Sequence, residues 1–210
     1  MKKTFVLFVL FVLPVVAYLF FATGVNNFGK LPVLQENVSN ISTIDSGKTF
    51  TDKISILVFL GDNVSDKKGL IFNLNQKIYK RFAEFTDFQF VVLVTPSQEK
   101  VIEDLKYEIG KLTDTDKWNF VTASPSQIQT LYSSLGTKEG LSKDYGTSLV
   151  FIIDKEVNLR GRTDDEDEGV KYGFDATSVA ELTNKMIDDV RIILAEYRLA
   201  LKKNNATRVK

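Results

Sequence analysis

The sequence predicts an α/β fold, a three-layer sandwich with a central mixed sheet and helices on both faces, following one N-terminal membrane segment. Three observations predict it. An uncharged apolar run opens the chain, segments of strand period and helix period alternate after it, and an apolar hairpin followed by a long amphipathic helix closes it. The chain has 210 residues, 44% of them hydrophobic, which leaves enough beyond the first segment for one compact domain with its own core.

The run from Phe5 to Thr23 carries no charge and follows Lys2 and Lys3. As a helix it is about as long as a bilayer's hydrocarbon layer is thick. A cleavable signal has a shorter apolar core of roughly 7 to 15 residues with small residues before the cut. Ala22-Thr23-Gly24 offers such a site, so residues 1–24 read as membrane anchor or signal, with the uncleaved anchor favoured on length. Lys2 and Lys3 keep the N-terminus in the cytoplasm by the positive-inside bias. The expectation is a single-pass protein of a bacterial inner membrane with its soluble domain in the periplasm. Residues 25–51, rich in Asn, Ser, Thr and Gly, read as a linker that ends in a short edge strand at most.

The domain is expected over 52–203, with a polar tail over 204–210. Lys53 to Leu60 is a β-branched apolar run ended by Gly61 and suits a buried parallel strand. Leu70, Leu74, Ile78 and Phe82 then repeat at helical spacing. Phe88 to Thr95 is a second strand, and Pro96-Ser97 opens a helix carrying Val101, Leu105, Ile109 and Leu112. Trp118 to Ala123 is a short strand, followed by a helix from Pro125 to Leu135. Ser148 to Asp154 is the last strongly apolar strand, paired with Val157 to Arg162 across Lys155-Glu156. A helix from Thr177 to Lys202 aligns Val179, Leu182, Met186, Val190, Ile193 and Tyr197 on one stripe. This order narrows the three-layer sandwich to a thioredoxin-like one.

Composition closes several kinds of chemistry. Lys plus Arg and Asp plus Glu both number 27, so no global basic field points to nucleic acid. There is no Cys and no His, and the only methionines are Met1 and Met186. Disulfides, thiol exchange, Cu(I), structural zinc, haem and iron–sulfur sites therefore have no ligands to build from, and no cofactor is expected. Catalysis by Ser–His or Cys–His pairs is closed for the same reason.

Over about residues 53–200 the domain resembles the Sco/SenC group. Ile56 to Leu60 and Asn73-Leu74, then Val92 to Gln98 and Leu105-Lys106-Tyr107, match the group's strand, loop and helix order. Trp118-Asn119-Phe120-Val121-Thr122 is similar to its Trp-x-x-Leu-Thr strand, and Phe151-Ile152-Ile153-Asp154 to its last core strand. The resemblance implies a thioredoxin fold tethered by one N-terminal helix and associated with copper delivery to cytochrome c oxidase. It also implies two cysteines four residues apart after the first strand and a histidine before the late strand. Counted from Asn73 and Asp154, those ligands fall at or near Asn63, Lys67 and Gly146, so the soft ligands are gone. What the resemblance then implies is a non-catalytic accessory whose partners are oxidase subunits or other envelope proteins.

Two further groups of residues invite chemistry. Asp62 and Asp66, with Asn63 and Ser65 between them, would offer oxygens to a hard cation. The favoured reading is a polar turn in which Ser65 or Asp66 caps the next helix. Asp164-Asp165-Glu166-Asp167-Glu168 lacks the ligand alternation and glycine of a calcium loop. It reads as a solvated loop, with Arg160 and Arg162 as partners or facing solvent. An alternative function, a Ca or Mg dependent module or enzyme built on these acids, follows if either group holds a metal.

Overall fold

The computed structural model of the protein describes residues 2–23 and 29–207. The expected anchor forms helix α1, Lys2–Thr23, with Pro14 inside it and exposed side chains such as Phe8, Leu10 and Phe11. Among the described residues no helix is long and apolar enough to cross a membrane. The junction of anchor and linker at residues 24–28, and the end of the tail at 208–210, lie outside the described residues.

The expected linker is not a tether from Leu31 onward. Leu31, Val38, Ile41 and Phe50 are buried, and Val33–Gln35 forms an edge strand, β1. Asn40 holds this segment together: its side chain accepts from the N–H groups of Ser42 and Phe50 and donates to Thr49 and Thr51. Val38, Ile41 and Phe50 each stand among polar residues, so no period announces their burial.

Strand β2, Ile54–Gly61, is buried at every position. Ile54, Ile56, Val58 and Leu60 face one core, while Leu57 and Phe59 face the other. Helix α2, Val64–Leu74, continues through a π-helical turn at Asn75–Tyr79 into α3, Lys80–Phe82. Strand β3, Phe88–Val94, helix α4, Glu99–Gly110, and strand β4, Trp118–Thr122, follow as expected. Helix α5, Pro125–Ser133, starts on a capping box in which Ser124 and Gln127 bond to each other's backbone, with Pro125 in the first turn.

Strand β5, Leu149–Ile153, then pairs with β6, only Leu159–Arg160. The expected hairpin is thus shorter than 157–162, because Arg162 begins a second hairpin of β7, Arg162–Asp165, and β8, Gly169–Lys171. After β9, Phe174–Asp175, the terminal helix begins as α6, Val179–Glu181, passes a π-helical turn and runs on as α7, Ile187–Thr207. It takes in the first residues of the expected tail.

The main sheet is mixed, in the order β1-β6-β5-β2-β3-β4, with β9 added to β5. Strands β2, β3 and β4 are parallel, and β5 lies antiparallel to β2. The even-numbered residues of β2 and β3 pack against α2, α4 and α7, and the odd-numbered ones against α5 and the segment around Val38 to Phe50. The three layers of the predicted sandwich are therefore present. Trp118 belongs to the first core, stacked on Phe90 at 4.2 Å between ring centroids.

Gly61 ends β2 at φ 63°, and a Cβ there would lie 2.0 Å from the carbonyl oxygen of Asp144. The sheet can meet the loop before β5 only because this residue has no side chain. We expect Gly61→Ala to cost about 3 kcal/mol by overpacking and left-handed backbone strain. Urea denaturation followed by fluorescence of Trp118, the single tryptophan, reads this directly.

Candidate functional site

The loop after β2 and the loop before β5 meet at the end of the central strand. Asp62 N–H donates to the carbonyl of Asp144 at 2.7 Å, and Thr147 N–H to that of Phe59 at 3.0 Å. The five residues singled out from the sequence, Asp62, Asn63, Asp66, Lys67 and Gly146, all lie at this junction.

Asp62 faces the loop after β3. Its carboxylate accepts from Thr95 Oγ1 at 2.7 Å and from the Ser97 hydroxyl. The hydrogen bonds from Ser97 and Thr95 hold its carboxyl below the ordinary value. Asn63, rather than Ser65 or Asp66, caps α2. Its Oδ1 accepts from Asp66 N–H and its Nδ2 donates to the Asp66 carboxylate at 2.6 Å. The amide wins because it stands one residue before the helix, where a side-chain oxygen reaches the N–H of the third helical residue. Asp62 and Asp66 are thus bound to different partners, and among the described residues no group of three or more acidic side chains is placed to hold a metal ion.

Lys67 lies one turn into α2 and donates to the carboxylate of Asp144. Asp144 also accepts from the Ser142 hydroxyl and from Gly146 N–H at 3.2 Å. Burial by itself would raise the Asp144 carboxyl, but Lys67, Ser142 and the Gly146 amide outweigh it and hold the group below its usual range. Gly146 is buried against the same ammonium. A Cβ there would stand 2.7 Å from Lys67 Nζ and Cε and 2.7 Å from the Leu60 carbonyl oxygen. A side chain at 146 and the ammonium of Lys67 therefore compete for one space. Beside them a cleft of about 270 Å³ opens, lined by Asp66, Lys67, Leu70, Asn73, Ser148 and Thr177.

Chemically, the junction presents an ammonium, a carboxamide and hard oxygens. None is a soft donor for Cu(I), and none is a thiolate for exchange. Asp144 was not singled out from the sequence. It lies 77 residues from Lys67, and no local pattern marks it.

The acidic run keeps four exposed residues, Asp164, Glu166, Asp167 and Glu168, so the expected solvated loop holds except at Asp165. It forms the end of the β7–β8 hairpin, where the Asp165 side chain is fully buried and accepts from Lys185 Nζ at 2.8 Å through both oxygens. Burial would raise the Asp165 carboxyl, but Lys185 and the Asp167 and Glu168 amides hold it below its usual value. Arg162 binds Asp189 through two bonds of 2.8 Å, and Arg160 turns away to Asp154 and Glu196. Lys185 reaches the run from the terminal helix, remote in sequence, while Arg162 lies 3.7 Å from Asp165 and Lys171 pairs with Glu168 within the hairpin itself.

No protein-family model matches the chain, and no curated protein matches it. Solved structures do. The chain is similar to BsSco, described as a member of the Sco family of cytochrome c oxidase assembly proteins in which a disulfide switch was identified. The likeness has a TM-score of 0.53 at 13% identity and covers 77% of this chain and 95% of that one. It is also similar to a putative electron transfer protein from Aquifex aeolicus VF5, with a TM-score of 0.50 at 13% identity over 79% of this chain and 94% of that one. The chain therefore has a Sco/SenC-like thioredoxin fold, without any cysteine.

The folded carboxyl of Asp144 lies below its unfolded value. Its ion pair with Lys67 thus contributes stability that is complete above about pH 4 and is lost as pH falls through the folded pKa. We expect Asp144→Asn to cost roughly 1 kcal/mol at pH 7 after solvent screening. The gap between variant and parent should close on acidification below about pH 4 in urea denaturation series.

Proposed function

We propose that the chain is a non-catalytic, membrane-anchored Sco-like protein that works by protein contact, as an assembly accessory of a respiratory haem–copper oxidase or another envelope complex. The observation that carries this reading is the junction at the end of β2. It keeps the thioredoxin-like architecture, yet Lys67 and Asp144 form an ion pair against Gly146 where the resemblance places a metal site. A loop closed by an ion pair has a fixed shape, and fixed shape is what recognition of a protein partner needs. The client is inferred from what BsSco is said to assemble.

The membrane part of the proposal rests on the sequence. An uncharged run long enough to span a bilayer follows two lysines, and α1 is helical along it. The domain then lies on the outer side of a bacterial inner membrane.

Two experiments test the reading. Alkaline extraction of membranes should leave the full chain in the pellet and release a chain lacking residues 1–24; full release of the intact chain would remove the anchor. Crosslinking in intact cells, then purification of the chain from membranes and mass spectrometry, should recover oxidase subunits or copper-handling proteins. Envelope or secretion components without any oxidase subunit would end the respiratory assignment and leave the fold alone.

A further inference from the structure

The chain ends in a basic stretch. After Glu196 it carries Arg198, Lys202, Lys203, Arg208 and Lys210 and no acid, although the formal charge of the whole is zero. The ordinary use of such residues is to complement the carboxyl end of the helix dipole, an effect confined to about the last turn. Arg198 stands nine residues before Thr207, where α7 ends, and lies outside that range. The dipole therefore does not account for the whole excess.

The fold places this stretch beside the point where the chain arrives from its first helix. Leu199 and Ala200 line one cleft together with Gly29 and Lys30. Gly29 follows Thr23, the last residue of α1, by six residues, and a chain of that length spans at most about 22 Å in any conformation. The end of α7 is thus kept within a short reach of the end of α1. Arg198 also lines a neighbouring cleft with Ile54, the first residue of β2. The basic stretch therefore stands at the start of β2, about 23 Å along the strand from the junction at Gly61.

Two features of this end suit a lipid surface. Val33, Phe85 and Leu199 leave apolar side chains in the open around the two clefts, at 43%, 41% and 37% exposure. The acids that line the clefts are engaged within the fold. Asp154 and Glu196 bind Arg160, Asp87 binds Lys155, and Glu156 accepts from Tyr197, whose ring centroid lies 5.4 Å from Lys155 Nζ. Lys30 and Arg198 are exposed. Cations set among exposed apolar side chains are the pattern of a surface that lies on anionic headgroups.

We propose that the last turns of α7, which carry Arg198, Lys202 and Lys203, rest on anionic phospholipid headgroups of the membrane. The inference rests on the membrane anchor proposed above and deepens it. The tether makes this second contact intramolecular, so weak headgroup binding suffices. The domain is then held in one orientation, with the end of α7 on the bilayer and the junction of Lys67 and Asp144 turned away from it.

The chain has no cysteine, so Ala200→Cys and Ser65→Cys each provide a single site for a fluorescent label. Both positions are exposed, one near the end of α7 and the other in the first turn of α2, beside the junction. Each labelled full chain is reconstituted into phosphatidylcholine vesicles, with or without phosphatidylglycerol, that contain a headgroup spin label. The label at 200 should be quenched about twofold more with phosphatidylglycerol than without it. Salt at about 1 M, where the Debye length is about 3 Å, should remove the difference. The label at 65 should be quenched in neither lipid. Lys202→Gln with Lys203→Gln should weaken the contact about 25-fold, roughly fivefold for each cation, and return the label at 200 to its level in phosphatidylcholine. Equal quenching at 200 in both lipids, quenching at 65 as strong as at 200, or an unchanged signal in the double variant would each overturn the proposal. Flotation of the unlabelled full chain with pure phosphatidylcholine vesicles in the same high salt reads the anchor alone. A chain that floats but shows no lipid-dependent quenching at 200 loses the headgroup contact and keeps the anchor, whereas one that does not float loses the anchor.

Discussion

Strand β2 is buried on both faces along its whole length, and the rest of the domain is arranged to satisfy that condition. A strand with no solvent face needs a neighbour on each edge and a layer above and below. Here β3 and β5 supply the edges, α2, α4 and α7 one layer, and α5 with the segment around Ile41 to Phe50 the other. The N-terminal segment is drawn into the domain for this reason. Without Ile41 and Phe50, part of the second core would lie open to water.

A central strand must also leave the sheet somewhere, and in a thioredoxin-like sandwich its carboxyl end is where loops from both halves converge. At that point the chain has put hard, paired groups. The ammonium of Lys67 fills space that a side chain at 146 would need, so the lysine and the glycine fit together. The charge on Lys67 is neutralised by Asp144 within the same junction, so an ion pair holds the two loops together.

Charged side chains do more of the holding in this domain than its composition suggests. Arg160 ties the β5–β6 turn to the terminal helix, Lys185 and Arg162 bind the acidic run to the same helix, and Lys171, 1% exposed, pairs with Glu168 and Glu181. Buried pairs of this kind add little net stability over apolar residues, but losing one partner strands the other. They fix where the small strands after β5 sit, in a stretch too short in apolar residues to specify its own packing.

Much of the architecture was legible in the sequence. Apolar runs such as Ile56 to Leu60 and Phe88 to Val94, and the stripe from Leu182 to Ile193, carry their period locally, so strand and helix identity, their order and the three layers follow from near neighbours along the chain. Composition alone, through the absence of cysteine and histidine, likewise decides that thiol and soft-metal chemistry are closed. The tertiary structure decided what depends on remote partners. Asn63 took the helix cap by its position, the isolated apolar residues Val38, Ile41 and Phe50 became core, and Asp165 was buried against a lysine 20 residues away. Asp144 met Lys67 across 77 residues, and Glu196 met Arg160 across 36. Periodicity reports the face on which a residue lies, but an ion pair or a cleft is made by which faces meet, and only the folded chain determines that.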